Sequence, residues 1–305
     1  MPELPEVEHV VRGLRPHVLN KAIINVAFSE AVKRGKAQGK ETIIKQIELD
    51  DFKAIVSNTV IESVNRRSKY IIFELMKPGS HFIEQEQVLE QQQTSKIYLV
   101  GHLGMAGAFF VKSSIEEIPI SNYKKHWHVQ FELSDGQKMI YSDIRRFGEF
   151  KILDEAAFAT FDQAIAPEPF ENNAMAHFIQ QSKLNKYMNK PIKQVIMDHG
   201  VVSGCGNIYA CEALHLAGIL PTHITHTLST QKKKKLFSAI VDVLNKGIEY
   251  GGSSISDYRN VEGESGNMQS KFNVYGLKQC KICNSDITTQ VIATRNTHFC
   301  EKCQK

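Results

Sequence analysis

The 305-residue chain has no run of the roughly 18–20 apolar residues that a membrane-spanning helix requires. Its first segment carries Glu3, Glu6 and Glu8 and no continuous apolar stretch, so it is not expected to act as a secretion signal. Cysteine is scarce: six residues are too few for a disulfide scaffold at this length, and four of them sit in two CxxC pairs. Neither sign of charge dominates. A formal net charge of +4 permits a nucleic-acid partner without requiring one. These absences point to an intracellular, soluble protein, long enough for two domains with a core each.

What is present falls into blocks. Val7, Val10, Val11 and Leu14 recur at helical spacing and predict one amphipathic helix from about Pro2 to Val18, with Arg12 and Arg15 interleaved. From Ile23 to Leu153 short runs rich in Val, Ile, Phe and Tyr predict strands. Two of these flank Ser134-Asp135-Gly136-Gln137, whose Asp-Gly is a hairpin signal. The N-terminal half is therefore expected to be one helix followed by an antiparallel β domain, a sandwich. A Gln/Glu-rich stretch, Glu84 to Gln93, reads as an exposed insertion between two strands. Ala166-Pro167-Glu168-Pro169 reads as a linker, and the pattern is helical from Asn172 to about Tyr250. Gly251-Gly252-Ser253-Ser254 opens a flexible-looking loop through Asn267, and Phe272 to Lys305 forms a small cysteine-bearing module. The expected class is α+β, with domains at 1–160, 161–271 and 272–305.

The sharpest spacing is Cys280-Lys281-Ile282-Cys283 followed, sixteen residues on, by Cys300-Glu301-Lys302-Cys303. Two such knuckles suit four thiolates around one structural Zn²⁺; a redox role for one pair leaves the other unexplained. The hairpin between them has Arg295 at its tip. Asp198 to Ala210 carries glycines at 200, 204 and 206, then Asn207, read as the N-cap of a helix from Ile208 to Leu216. With the preceding helix this forms a helix-turn-helix-like unit whose N–H groups suit a phosphate. Three more clusters are Arg66-Arg67-Ser68-Lys69-Tyr70, Gly101 to Gly107 around Met105, and Asp143 to Gly148 around Arg145 and Phe147. Singly they read as a solvated charge run, a packing methionine and a buried phenylalanine. Jointly they supply phosphate-neutralising cations with an apolar residue, an arginine and an aromatic able to fill the gap left by an extruded nucleotide.

The N-terminus adds chemistry. With Met1 removed, Pro2 carries a secondary α-amine, titrating near pH 7.7–8.0 and so partly nucleophilic at cellular pH. Glu3 offers a carboxyl for proton transfer one residue away. On three residues alone, Met-Pro-Glu reads as an ordinary helix start with proline at the first position, and that reading prevails.

Pro2-Glu3-Leu4-Pro5-Glu6-Val7-Glu8, Arg66 to Tyr70, His102-Leu103-Gly104-Met105, Arg145-Arg146-Phe147-Gly148, Gly206-Asn207-Ile208-Tyr209-Ala210 and the four cysteines occur in this order. From end to end the chain resembles the formamidopyrimidine-DNA glycosylase/endonuclease VIII family, and Leu4 makes it similar to the formamidopyrimidine branch. The resemblance implies a β-sandwich, a helix-two-turn-helix domain and a zinc finger in a monomer that acts on double-stranded DNA containing oxidised bases or abasic sites. Pro2 is then the Schiff-base nucleophile and Glu3 the general acid/base. Lys69 is the lysine that holds phosphate and assists β-elimination, and Arg295 binds phosphate and assists δ-elimination. Asn207 binds phosphate, Met105, Arg145 and Phe147 fill the void, and His126 contacts DNA. Zinc is the only cofactor implied, and the location is the cytoplasm or nucleoid.

Cys211 departs from the family pattern, standing where an acidic residue is usual; its expected effect is on local packing. The implied activity is a bifunctional glycosylase and abasic-site lyase for oxidised purines, 8-oxoguanine and formamidopyrimidines. The rivals are an endonuclease VIII-like preference for oxidised pyrimidines and a catalytically silent damaged-DNA-binding protein. A Mg²⁺ nuclease finds no acidic cluster in the basic motifs.

Overall fold

The computed structural model describes residues 2–41, 43–77, 96–255 and 257–305, so the Gln/Glu-rich stretch lies outside the described residues. Helix α1 (Leu4–Val18) forms where the apolar spacing predicts. Its Val7, Val10, Val11, Leu14 and Val18 are fully buried. Burial of each such side chain contributes on the order of 1.5–3 kcal/mol. The helix starts two residues later than the periodicity indicates. Pro5 then falls in its first turn, where no intrahelical N–H bond is due, and Glu6 sits at the positive end of the dipole.

The structure divides into two units, Met1–Pro2, Val7–Phe161 and Ser256–Ser265 in one, and Glu3–Glu6, Asp162–Ile255 and Gly266–Lys305 in the other. The first is the β unit. Its strands are β1 (Ala22–Phe28), β2 (Ile43–Ile44), β3 (Thr59–Arg67), β4 (Tyr70–Met76), β5 (Ile97–His102), β6 (Gly107–Lys112), β7 (Trp127–Leu133), β8 (Lys138–Asp143) and β9 (Glu149–Leu153). Helices α2 (Glu30–Ala37), α3 (Leu49–Val56), α4 (Ser121–Lys125) and α5 (Glu155–Gln163) fall between or after them.

Among the described residues these strands form one hydrogen-bonded sheet, ordered β2-β9-β5-β4-β3-β1-β7-β8-β6, with only β2 and β9 parallel. The sheet doubles over on itself. Phe109 of β6, at one end, meets Phe150 of β9 and Phe73 of β4, each with ring centroids 5.9 Å apart. The expected sandwich is thus a single folded sheet enclosing Phe109, Phe131, Tyr141 and Phe150 together with the valine face of α1. The Asp135-Gly136 hairpin joins β7 to β8 as predicted, with Gly136 at φ +83°.

Among the described residues after Gly252, those from Tyr258 to Glu264 are tied to the β core and to one another. Tyr258 and Val261 are buried in the β core, and the Asn260 Oδ1 accepts from the backbone N–H of Glu262 and of Glu264 at 3.1 and 2.8 Å.

The second unit is helical: α6 (Ala174–Gln181), α7 (Asn185–Met188), α8 (Ile192–Ile196), α9 (Asn207–Ala217) and α10 (Thr230–Glu249), followed by the hairpin β10 (Thr288–Ile292) and β11 (Arg295–Phe299). Helix α9 is buried on nearly every face because it is central, packing with Leu236, Ile240 and Leu244 of α10. Gly218 closes it at φ +71°, and Ser229 caps α10 by accepting from Lys232 N. The cysteine module is fastened to the end of α9: buried Gln304 donates to Ile219 O at 2.7 Å and accepts from Cys300 N at 2.8 Å. Glu212 of α9 accepts the N–H groups of Asn273, Val274 and Tyr275 at 2.8–3.0 Å, ordering the entry to the module.

Phe150 touches three aromatic rings and is 1 % exposed. Phe150→Ala is expected to lower unfolding free energy by about 3–5 kcal/mol in urea titration, with no new intermediate.

Candidate active site

Helix α9 begins at an unusual cap. The N-cap position is Gly206, and the acceptor for the exposed N–H groups comes from Glu3, some two hundred residues earlier. Glu3 Oε2 accepts from Gly206 N at 2.7 Å and Tyr209 N at 3.5 Å, and Oε1 accepts from Ile208 N at 2.9 Å. A carboxylate at a helix N-terminus faces both the dipole and orphan donors, so its burial at 1 % exposure is compensated. Asn207 is therefore the first residue of α9, not its N-cap as the local sequence indicates.

Gly206 is required for space: a Cβ there would lie 2.3 Å from Glu3 Cδ. Glu6 fixes the backbone beside it, accepting from Glu3 N at 2.7 Å, Tyr209 Oη at 2.8 Å and Ser253 N at 2.6 Å. Pro2, buried, is joined to Glu3 by one peptide bond.

With α9 capped elsewhere, the Asn207 amide faces the cysteine hairpin. Its Nδ2 donates to Asn296 O at 2.9 Å and Tyr275 Oη at 3.3 Å, while its Oδ1 accepts from Lys193 Nζ. Lys193 is fully buried and also donates to Thr297 Oγ1 at 2.6 Å. Burial lowers its pKa from the ordinary lysine value, and the Arg295 charge pushes the same way. Asn207 and the Arg295 strand are thus bonded into one polar network. Arg295 is the exposed first residue of β11, beside the two-residue turn Ala293-Thr294, at φ +49° and +64°. Positive φ at a β-branched residue is a strained turn at a candidate phosphate-binding tip.

The four cysteine sulfurs lie within 4.8 Å of one another, with Cys283 and Cys300 Sγ 3.5 Å apart and Cys280 and Cys303 Sγ 3.9 Å apart. These distances exceed a disulfide and match the roughly 3.8 Å edge of a tetrahedron of thiolates about 2.3 Å from one ion. Cys211 packs against this cluster with Val274, Cys280 and Cys300, and burial raises its thiol to about 11. The expected packing role is where its side chain sits.

In the β unit, Lys69 lies in the two-residue turn Ser68-Lys69, with Arg67 and Tyr70 paired across it; it precedes β4 rather than lying in a strand. Arg66 Nε donates to Glu8 Oε2 at 2.9 Å. Burial opposes the Glu8 charge, but hydrogen bonds from Arg66 and Arg12 outweigh it and hold the carboxyl below its ordinary value. The Met105 turn abuts the Arg145–Phe147 tip through Gly104, at φ +60°, where a Cβ would lie 2.4 Å from backbone atoms of Phe147 and Gly148. Met105 itself is half-buried rather than exposed.

Buried Asp143 shapes that tip, accepting from Arg145 N at 3.0 Å and Gly148 N at 2.7 Å. Phe147 is 59 % exposed with the Arg145 guanidinium 5.3 Å from its ring centroid. His126 is half-buried at the end of α4. Sequence reasoning missed Glu6, Lys193 and Glu212, which bond groups distant in sequence so that no local spacing marks them, and Asp143, which shapes its own turn through Arg145 and Gly148.

Family models match on both sides of this description: the formamidopyrimidine-DNA glycosylase N-terminal domain over residues 1–150, and the formamidopyrimidine-DNA glycosylase H2TH domain over residues 165–259. The chain belongs to the formamidopyrimidine-DNA glycosylase family. The formamidopyrimidine-DNA glycosylase of Cytobacillus firmus is 33% identical over 315 residues, with 100% of each chain covered. A Lactococcus lactis variant of the family, solved with Fapy-dG-containing DNA, superposes with TM-score 0.80 at 28% identity, again covering 100% of both chains. The wild-type Lactococcus lactis protein, solved with oxidised-pyrimidine DNA, gives TM-score 0.79 at 28% identity and the same coverage. As a member of this family the chain is a DNA-repair glycosylase with a four-cysteine module of zinc-finger type.

Two outcomes follow for this glycosylase. Gly206→Ala forces Glu3 off the α9 N-terminus and should reduce strand cutting at least tenfold, while costing about 1–3 kcal/mol of stability without loss of helical circular dichroism. Burial lowers the pKa values of His102 and His128. The unfolded chain therefore takes up those protons first, and stability falls as pH drops below about 6.5. Tm measured from pH 8 to 5 should decline over that window, less steeply in His128→Gln.

Proposed function

We propose that the chain is a bifunctional glycosylase and abasic-site lyase that excises oxidised purines from duplex DNA through a Schiff base on Pro2. The observation that carries this reading is the Glu3 carboxylate fixed at the α9 N-terminus, next in the chain to a proline that becomes terminal once Met1 is removed. The neutral Pro2 nitrogen attacks C1′ of the damaged nucleotide; the C1′–base bond breaks and the base leaves with a proton. Glu3 handles the proton that passes to the ring oxygen as the deoxyribose opens, giving an iminium between Pro2 and C1′. The iminium acidifies C2′, so loss of that proton expels the 3′ phosphate, and a second elimination expels the 5′ phosphate.

Lys69 and Arg295 serve as the phosphate-holding cations of those eliminations, and Asn207 and His126 as DNA contacts. Met105, Arg145 and Phe147 occupy the space vacated by the extruded nucleotide, at an unstacking cost of a few kcal/mol that is smaller at a damaged pair. Cys280, Cys283, Cys300 and Cys303 hold one zinc ion; all four positions are thiolates, so it braces the hairpin and takes no part in the chemistry.

Borohydride should trap a covalent adduct between the protein and an 8-oxoguanine duplex. Pro2→Gly should abolish both the adduct and strand cutting while retaining DNA binding; undiminished cutting by that variant would show that another group is the nucleophile. The Lactococcus lactis complex with oxidised-pyrimidine DNA keeps a second reading open, a preference for oxidised pyrimidines. Faster cutting of thymine glycol than of 8-oxoguanine opposite cytosine would select it.

A further inference from the structure

Helix α9 meets the cysteine module with a histidine. His215 lies in its last turn, just before the left-handed Gly218, and is buried, with its ring Nε2 3.3 Å from Cys280 Sγ. Cys211 stands one helical turn earlier on the same face, and its side chain packs with Cys280 and Cys300. Glu212, between them, gathers the N–H groups of Asn273, Val274 and Tyr275 in the segment that leads to Cys280. Beyond His215, Gln304 donates to Ile219 O at 2.7 Å and Lys305 N donates to Gly218 O at 3.0 Å. The module is thus fastened to α9 before and after His215, which holds the imidazole edge against Cys280.

The sulfurs draw their hydrogen bonds from different places. Cys283 is bonded by the hydroxyl and N–H of Ser285, and Cys300 by the N–H groups of Lys302 and Cys303, all within the adjoining turns. Cys280 is fully buried, so solvent supplies its sulfur with no donor, and its partner comes from α9 instead. Four thiolates around one Zn²⁺ leave a net negative charge, and a buried anion is stable only with donors around it. A free thiol is able to donate to the ring, but a metal-bound thiolate only accepts. The proton of the bond must then sit on Nε2.

We infer that His215 donates its Nε2 proton to the Cys280 thiolate and so holds the zinc of this module from outside the ligand set. The bond spreads the charge of the most enclosed sulfur and fixes its direction, as outer partners of metal ligands do elsewhere. It also ties the last turn of α9 to the metal, at the opposite end of the helix from the Glu3 cap. His215 is a positioning residue for the zinc site. Phenylalanine at this position fills the space without a donor, whereas glutamine keeps an N–H.

The inference rests on the zinc reading above, and elemental analysis of the full-length wild-type protein separates the two. Zinc transfer to an excess of a chromogenic chelator should be about ten- to a hundredfold faster from His215→Phe than from wild type. His215→Gln should restore most of the retention. In cobalt-loaded protein the sulfur-to-metal charge-transfer band should move to lower energy in His215→Phe and return in His215→Gln. Nitrogen-15 spectra of the zinc-loaded wild type, which require no variant, should place the His215 proton on Nε2. A proton on Nδ1 overturns the assignment, as does unchanged zinc transfer from His215→Phe. Equal acceleration in both variants with an unmoved cobalt band also overturns it, since packing alone then accounts for the loss. A wild type that takes up no zinc refutes the zinc reading and the donor role together, whereas one that binds zinc and fails these tests refutes the donor role alone.

Discussion

The contact between the Glu3 carboxylate and the first turn of α9 is the constraint on which the helical unit's functional end depends. Three N–H groups of a buried helix start converge on one acid, and each would cost about 1–3 kcal/mol if left without an acceptor. The surrounding sequence is arranged to admit that acid. Gly206 has no side chain because Glu3 fills its space, and a Cβ on Gly204 would meet Leu4 at 2.5 Å. Glu6 then holds the Glu3 amide and reaches Ser253, so the start of the chain and the start of the 253–267 segment are fixed by one carboxylate. Because Glu3 supplies the cap, the Asn207 amide is not consumed in capping and is available to Lys193 and the cysteine hairpin.

The same device recurs. Asp143 gathers the N–H groups of Arg145 and Gly148 to shape the exposed Phe147 tip, and Glu212 gathers those of three consecutive residues at the entry to the cysteine module. In each case several backbone N–H donors converge on one buried acid. Irregular loops thereby acquire fixed shapes that secondary structure does not supply, and Arg145 stays exposed at the tip that Asp143 shapes. That division of labour suits a protein whose ligand is a polyanion.

Features carried by local pattern were legible in the sequence: the valine stripe of α1, the Asp135-Gly136 hairpin, the paired CxxC knuckles and the helical stretch after the Pro-rich linker. Misread features depend on partners far along the chain. Asn207 has the chemistry of an N-cap, yet a carboxylate two hundred residues away displaces it. Lys193 carries no local signal within Ile192-Lys193-Gln194-Val195-Ile196, and its place is set by Asn207 and Thr297. The Ala293-Thr294 turn lacks the Asn-Gly signature its positive φ angles favour. The 253–267 segment looks flexible by composition, but Tyr258 and Val261 anchor part of it in the β core. Of the candidate site, residue types and order were readable, while the acids that position them were not.

The central claim is that Glu3 caps α9, and amide hydrogen exchange tests it residue by residue. In Glu3→Ala the amides of Gly206 and Ile208 should exchange about ten- to a hundredfold faster than in wild type, as expected for loss of charge-assisted bonds worth about 1.5–3 kcal/mol. Amides in the middle of α10 should be unaffected. Unchanged protection at Gly206 and Ile208 in a folded Glu3→Ala protein would contradict the account.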